Sequence, residues 1–309
     1  CKHLRELLRC NAVEVHVRVR TAKFVLSQEV SQILVSFQNV SKLGLELEGS
    51  ILVFNSVLDG LEKANASKLL TVLDLAEDKA VRPPRNAARQ RGGDNIASAI
   101  SVSSALNKAH HLRRLCLSGN CQLNGHDVNA VLTRCSTLTE LNLSFEGRSN
   151  FVLALPASPW NCPHLVHLGL RGMGLENLER LAGCVPSLSS LQHLDLSWNL
   201  LRDEGASKLA HALPACASMQ SLALHCNGFG PSGAGSILTA LRGMSALTSL
   251  DLGYNDIGNG PDPLLALAAC SALRCLRLDE CGLVGGAAVA GLAGGWTGVR
   301  ALNLSDNVL

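Results

Sequence analysis

The sequence predicts an α/β solenoid: a stack of short repeats with a parallel inner β-sheet and outer α-helices. Three observations predict it. A run of the form L-x-x-L-x-L returns along the chain, as in LQHLDLSWN from residue 191. From 112 to 299 it returns at steps of 26, 27, 26, 28, 28, 26 and 26 residues. Between the runs lie stretches whose apolar residues recur at helical spacing.

The regular runs begin with LRRLCLSGN at 112, LTELNLSFE at 138 and LVHLGLRGM at 165. LQHLDLSWN at 191, MQSLALHCN at 219 and LTSLDLGYN at 247 continue the series. LRCLRLDEC at 273 and VRALNLSDN at 299 complete it. Upstream the pattern is weaker but keeps its phase in AVEVHVRVR at 12, VSKLGLELE at 40 and LTVLDLAED at 70. The whole chain, 1–309, thus reads as a single array of eleven repeats, weak over 1–111 and regular over 112–309.

The L-x-L core of each run reads as a short strand with its leucines inward. The stretch that follows reads as a helix. In DEGASKLAHALPACAS, Leu209 and Leu213 share a face with Ala206 and Ala210; in GHDVNAVLTRC, Val128, Val131 and Leu132 do the same. One strand and one helix cannot bury their apolar faces alone, so neighbouring repeats must stack. Stacked strands stand about 4.8 Å apart. The helix layer is thicker than the strand layer, so the stack curves into a horseshoe. Glycines such as Gly205 and Gly233 are expected at recurring turns, where a positive φ or close packing is needed.

These units resemble leucine-rich repeats of the ribonuclease-inhibitor-like class. The resemblance rests on L-x-x-L-x-L-x-x-N and on the period. It implies a leucine-rich-repeat solenoid in the shape of a horseshoe. Asn120, Asn199, Asn227, Asn255 and Asn307 fill the family's asparagine position, and Glu146, Met173 and Cys281 replace it. The asparagine is expected to bond backbone groups of the turn that burial would leave unsatisfied.

The alternation sends Leu191, Leu194 and Leu196 to the core, and His193, Asp195 and Ser197 to the concave face. The same slots elsewhere present Glu140, His167, Arg171, His225, Asp251, Arg277, Asp279 and Glu280. The slot before the asparagine holds Phe145, Trp198 and Tyr254. Bulky aromatics there are frequent partner contacts in the resembled class, and aromatics framed by charge suit a protein-binding hot spot. The competing reading is that each aromatic merely packs on a neighbouring turn.

Catalytic and metal chemistry find little footing. His167, His193 and Asp195 combine imidazoles with a carboxylate, a set that suits a metal. Exposed polar residues fill such slots by default, so no metal ligand and no cofactor is assigned. Neither a G-x-S-x-G elbow nor a G-x-x-x-x-G-K-[ST] loop occurs. The glycine-rich stretch from 282 to 295 falls in a helix slot and reads as a loosely packed helix. No enzymatic activity is expected.

One step is oversized. Residues 79–95 read KAVRPPRNAARQRGGDN, a basic insertion carrying Arg82, Arg85, Arg89 and Arg91. Pro83-Pro84 and Gly92-Gly93 exclude a continuous helix there. The insertion reads either as a tolerated loop or as an arginine clasp for an acidic partner or a nucleic acid.

Composition sets the remaining bounds. A net charge of +2 and an aromatic content of 3% argue against a nucleic-acid partner. No apolar run reaches the roughly eighteen residues of a membrane span. Of the 12 cysteines, Cys135, Cys162, Cys216 and Cys270 each stand three residues before a run. That recurrence suits a buried slot for a small apolar side chain and free thiols in a reducing, cytoplasmic compartment. Both ends read as truncated, because CKHLRELLRC lacks a preceding strand and no polar cap follows the last one. The function this favours is a non-catalytic scaffold that binds a partner protein on the concave face. The resemblance also admits a sensing domain of a nucleotide-binding leucine-rich-repeat receptor, or a GTPase activator of the Ran type.

Overall fold

A computed structural model of the chain describes residues 14–19, 42–47, 71–77, 111–118, 129, 132–145, 155, 160–175, 178–258, 267, 270–285 and 298–309. The chain forms two compact units. The first comprises residues 1–146 with 154–156, and the second 147–153 with 157–309.

The first unit holds five strands: β1 (Glu14–Val19), β2 (Lys42–Leu47), β3 (Val72–Glu77), β4 (Arg114–Cys116) and β5 (Glu140–Asn142). They pair in parallel and in chain order. The second holds β6 (His167–Gly169), β7 (His193–Asp195), β8 (Ser221–Ala223), β9 (Ser249–Asp251), β10 (Cys275–Arg277) and β11 (Ala301–Asn303). These also pair in parallel and in order. Every strand starts two residues after the start of its run, in the weak repeats as in the regular ones. The fold is a leucine-rich-repeat solenoid.

The register explains the leucines. In the second unit Leu168, Leu194, Leu222, Leu250 and Leu276 stand side by side in neighbouring strands, and all are buried. The run's first and last leucines are buried as well, as at Leu191 and Leu196, except in the last repeat, where Leu302 is exposed and Leu304 half-buried.

What ends the strand varies: a polar side chain caps β5, β7, β9 and β11, whereas β6, β8 and β10 end in Gly169, Ala223 and Arg277. Asn142, Asp195, Asp251 and Asn303 occupy the last strand position, and each side chain accepts a hydrogen bond from the N–H two residues on. This local bond turns the chain out of the ladder. Two residues later the asparagine ladder takes over. Asn227 Nδ2 donates to the carbonyls of Leu196 and Leu224, and Asn255 Nδ2 to those of Leu224 and Leu252. Cys281 substitutes a thiol in that position, and its Sγ donates to Leu252 O at 3.4 Å.

Helices follow the strands: α1 (Glu179–Cys184), α2 (Arg202–Ala212) and α3 (Pro231–Leu241). α2 buries Ala206, Leu209 and Ala210, and Leu213 follows in a short 3-10 turn. α3 buries Ala234, Ile237, Leu238 and Leu241. Leu132 is buried and helical, while Val128 and Val131 lie outside the described residues. Gly205 and Gly233 lie within α2 and α3, not in turns. At Gly233 close packing is the reason for glycine: a Cβ would stand 2.6 Å from Asp203 Oδ1 and 2.9 Å from Phe229 Cβ. Asp203 Oδ1 also accepts the Gly230 and Gly233 N–H groups, so one repeat's helix caps the next.

Cys135, Cys162, Cys216 and Cys270 are all buried. All nine cysteines among the described residues are free of disulfides. Burial pushes the thiols of Cys135 and Cys216 up to about 11, so they stay protonated and inert. Residues 282–285 are not helical, with Val284 bridging Val308, and the rest of the glycine-rich stretch, 286–295, lies outside the described residues. Among the described residues, no helix is long and apolar enough to cross a membrane.

Candidate functional site

The turn after each strand of the second unit places one residue in the left-handed region. Gly172 has φ 67°, Trp198 58°, Cys226 54°, Tyr254 57°, Glu280 48° and Asp306 58°. This is the slot before the asparagine. A left-handed backbone costs a non-glycine residue about 1–2 kcal/mol, and Gly172 shows that glycine fits the slot. Trp198 and Tyr254 nonetheless occupy it, with 37% and 41% of their surfaces exposed. They lie in this turn, beyond the three-residue strands.

The two aromatics belong to one row. His225 lies between them, its ring centroid 5.7 Å from Trp198 and 4.8 Å from Tyr254. The Arg171 guanidinium stands 5.8 Å from the Trp198 ring, at cation–π range. The Tyr254 hydroxyl hydrogen-bonds Glu280; that bond, with Glu280's charge, raises the phenol's pKa. An open groove of about 420 Å³ runs beside Tyr254, lined by Gly228, Asp256 and Glu280 among others.

On the strands beside this row, His167 and His193 stack face to face, 4.2 Å between centroids and 1° from parallel. Burial, and then the charge of His167, lower the His193 pKa. Asp195 accepts the Ser197 N–H. This histidine pair and Asp195 do not form the convergent metal set that their slots suggest. Among the described residues that set is instead His225, Asp251 and Asp279, whose ligand atoms all lie within 4.8 Å of one another. Arg277 reaches both carboxylates, 3.3 Å from Asp251 and 3.4 Å from Asp279.

Three residues expected on the exposed face are buried. Ser197 is enclosed, His225 is only 8% exposed and Asp279 only 5%. They share the slot directly after the run's last leucine, where the turn has already swung inward. In the first unit, Glu140 pairs with Arg114 at 3.1 Å and Phe145 is half-buried. Arg82, Arg85, Arg89 and Arg91 lie outside the described residues. Sequence reasoning missed Gly253 altogether, although it stands in the same slot as His225 and Asp279, in the repeat between them.

Comparison with known proteins supports the fold. A family model described as Leucine Rich repeat matches residues 187–210 and 244–260. No curated protein matches the chain in sequence. Among solved structures, the chain is similar to an internalin of Listeria monocytogenes at 16% identity and a TM-score of 0.50, over 99% of this chain and 88% of that one. A leucine-rich-repeat protein of Leptospira interrogans is similar at 17% identity and a TM-score of 0.57, over 95% and 71%. A structure of the Rad7–Elc1 complex of yeast is similar at 15% identity and a TM-score of 0.61, over 96% and 70%. At these identities the likeness concerns the fold alone.

Proposed function

We propose that this chain, a leucine-rich-repeat array, is a non-catalytic interaction scaffold that takes a partner protein on the strand face of its second unit. The repeat fold commonly serves protein interaction, because stacked strands present an extended preformed surface. The observation that carries the reading here is the row Arg171–Trp198–His225–Tyr254. Two large aromatics are held exposed in a left-handed slot that glycine fits. Core packing does not explain a strained and exposed aromatic, whereas a partner's apolar side chain would cover both rings. Arg171 and Glu280 supply charge at the two ends of the row, and His167, His193, Asp195, Asp251 and Arg277 surround it.

The 26-to-28-residue period supports membership in the ribonuclease-inhibitor-like class. Described cysteines outside any disulfide, with buried thiols such as Cys135 held protonated, support a reducing, cytoplasmic setting. One structural neighbour was solved as a complex of two proteins, Rad7 and Elc1, which fits a protein partner without naming one.

The test is affinity capture with a wild-type bait and a Trp198→Ala/Tyr254→Ala bait of equal melting temperature. A partner retained by the first should be lost by the second, since anchor residues cost about 2 kcal/mol or more each on truncation. Equal capture by both baits would refute the aromatic row as the docking site.

A further inference from the structure

We propose that His225, Asp251 and Asp279 form a binding site for a divalent transition-metal ion of the zinc class. The site lies in the second unit and does not rest on the docking reading. Its ligands come from consecutive repeats. His225 follows β8, Asp251 ends β9 and Asp279 follows β10. One imidazole nitrogen and one oxygen from each carboxylate lie mutually within 4.8 Å.

Gly253 makes the convergence. It occupies the slot of His225 and Asp279 in the intervening repeat. A Cβ there would lie 2.8 Å from His225 Nδ1 and 2.8 Å from Asp279 Oδ1. Gly253 is not among the residues with positive φ. Its backbone therefore does not demand glycine; the space above it does. Two polar atoms from flanking repeats lean into the room that the absent side chain leaves.

Those two atoms are also the ones without a hydrogen-bond partner. His225 Nδ1 and Asp279 Oδ1 are both fully enclosed and unsatisfied. Asp251 Oδ1 stands 3.4 Å from His225 Nδ1, and Arg277 Nε 3.4 Å from Asp279 Oδ1, in each case without hydrogen-bond alignment. A buried unsatisfied polar atom costs about 1–3 kcal/mol. A single cation answers both. Asp251 is oriented by the Gly253 N–H, which donates to its Oδ1 at 3.0 Å. Its side chain is partly exposed, so the third ligand opens the site to solvent.

The donor set selects the ion. A nitrogen with two carboxylates suits zinc and its divalent neighbours, whereas magnesium and calcium prefer oxygen alone and copper(I) prefers sulfur. Arg277 is the competitor. Its guanidinium neutralises both carboxylates, but at 3.3–3.4 Å, longer than a charge-assisted pair prefers. The Arg277 side chain is half exposed, so it is free to swing out when a metal enters.

The experiment is titration of the reduced protein with Co²⁺, read by visible absorption, followed by displacement with Zn²⁺ and calorimetry. The wild type should bind one ion with ligand-field bands and no thiolate charge-transfer band. Asp279→Asn keeps the shape and should weaken binding by more than about tenfold. His225→Ala and Gly253→Ala should do the same, with folding checked by circular dichroism. Arg277→Gln should tighten binding by removing the competing charge. A thiolate band, wild-type affinity in Asp279→Asn and His225→Ala, or loss of binding in His193→Asn alone would overturn the site.

Discussion

The backbone N–H of Asn227 donates to the side-chain Oδ1 of Asn255, one repeat further on, at 2.9 Å. Asn255 is thus a rung between repeats. Its amide nitrogen donates to the carbonyls of Leu224 and Leu252, and its oxygen serves Asn227. Both asparagines are buried.

Asn255→Ala should therefore be costly. It strands the Asn227 N–H and removes one of two donors from each of the Leu224 and Leu252 carbonyls, a loss of about 1–3 kcal/mol. Asn307 makes the same bonds but is only partly buried, so water should soften the loss in Asn307→Ala. Urea unfolding of both variants measures the difference. Equal losses would mean that burial does not set the worth of the rung.

Two glycines of α3 should respond with opposite signs. Replacing a helix glycine by alanine gains up to about 1 kcal/mol of helix propensity. At Gly235 nothing lies within 4 Å of the new Cβ, so Gly235→Ala should stabilise. At Gly233 the Cβ meets Asp203 Oδ1 at 2.6 Å, Phe229 Cβ at 2.9 Å and Ala206 Cβ at 3.0 Å. Overpacking costs about 1–3 kcal/mol and outweighs propensity, so Gly233→Ala should destabilise. Thermal melts of the two variants decide; a stabilised Gly233→Ala would show that the repeat interface yields.

Stability should rise with pH through His193 of the stacked pair. Unfolded histidine titrates near 6.5, and folded His193 titrates below that value because of burial and the charge of His167. Between the two values the unfolded chain binds more protons, so acid favours unfolding. Above 6.5 both states are neutral at this residue and its contribution is flat. Melting temperature should climb as pH rises toward 6.5, and His193→Gln should flatten the climb. An unchanged slope in the variant would place the pH dependence elsewhere.

Much of the fold was legible because repetition reveals it. Each strand starts two residues into its run, including the weak runs at 12, 40 and 70. The asparagine and cysteine slots were legible for the same reason: their spacing to the leucines is fixed, and each fills a recurring buried position. The candidate site was legible only in part. Trp198 and Tyr254 stood out as aromatics in a repeated slot, but the His225–Tyr254 contact and the Gly253 gap did not.

Sequence alone determined what periodicity can carry: the repeat, the strand starts, the inward leucines and the asparagine rungs. Only the tertiary structure decided what happens after the last strand residue. There the alternation of faces ends, and in the repeats of β7 and β9 Asp195 and Asp251 hold the bend by accepting the N–H two residues on. The turn sends Ser197, His225 and Asp279 inward and holds Trp198 and Tyr254 out through a left-handed backbone. Such directions depend on backbone angles and on what the adjacent repeat leaves vacant, as Gly253 does for His225 and Asp279. No pattern of residue types within one repeat encodes a space made by its neighbours.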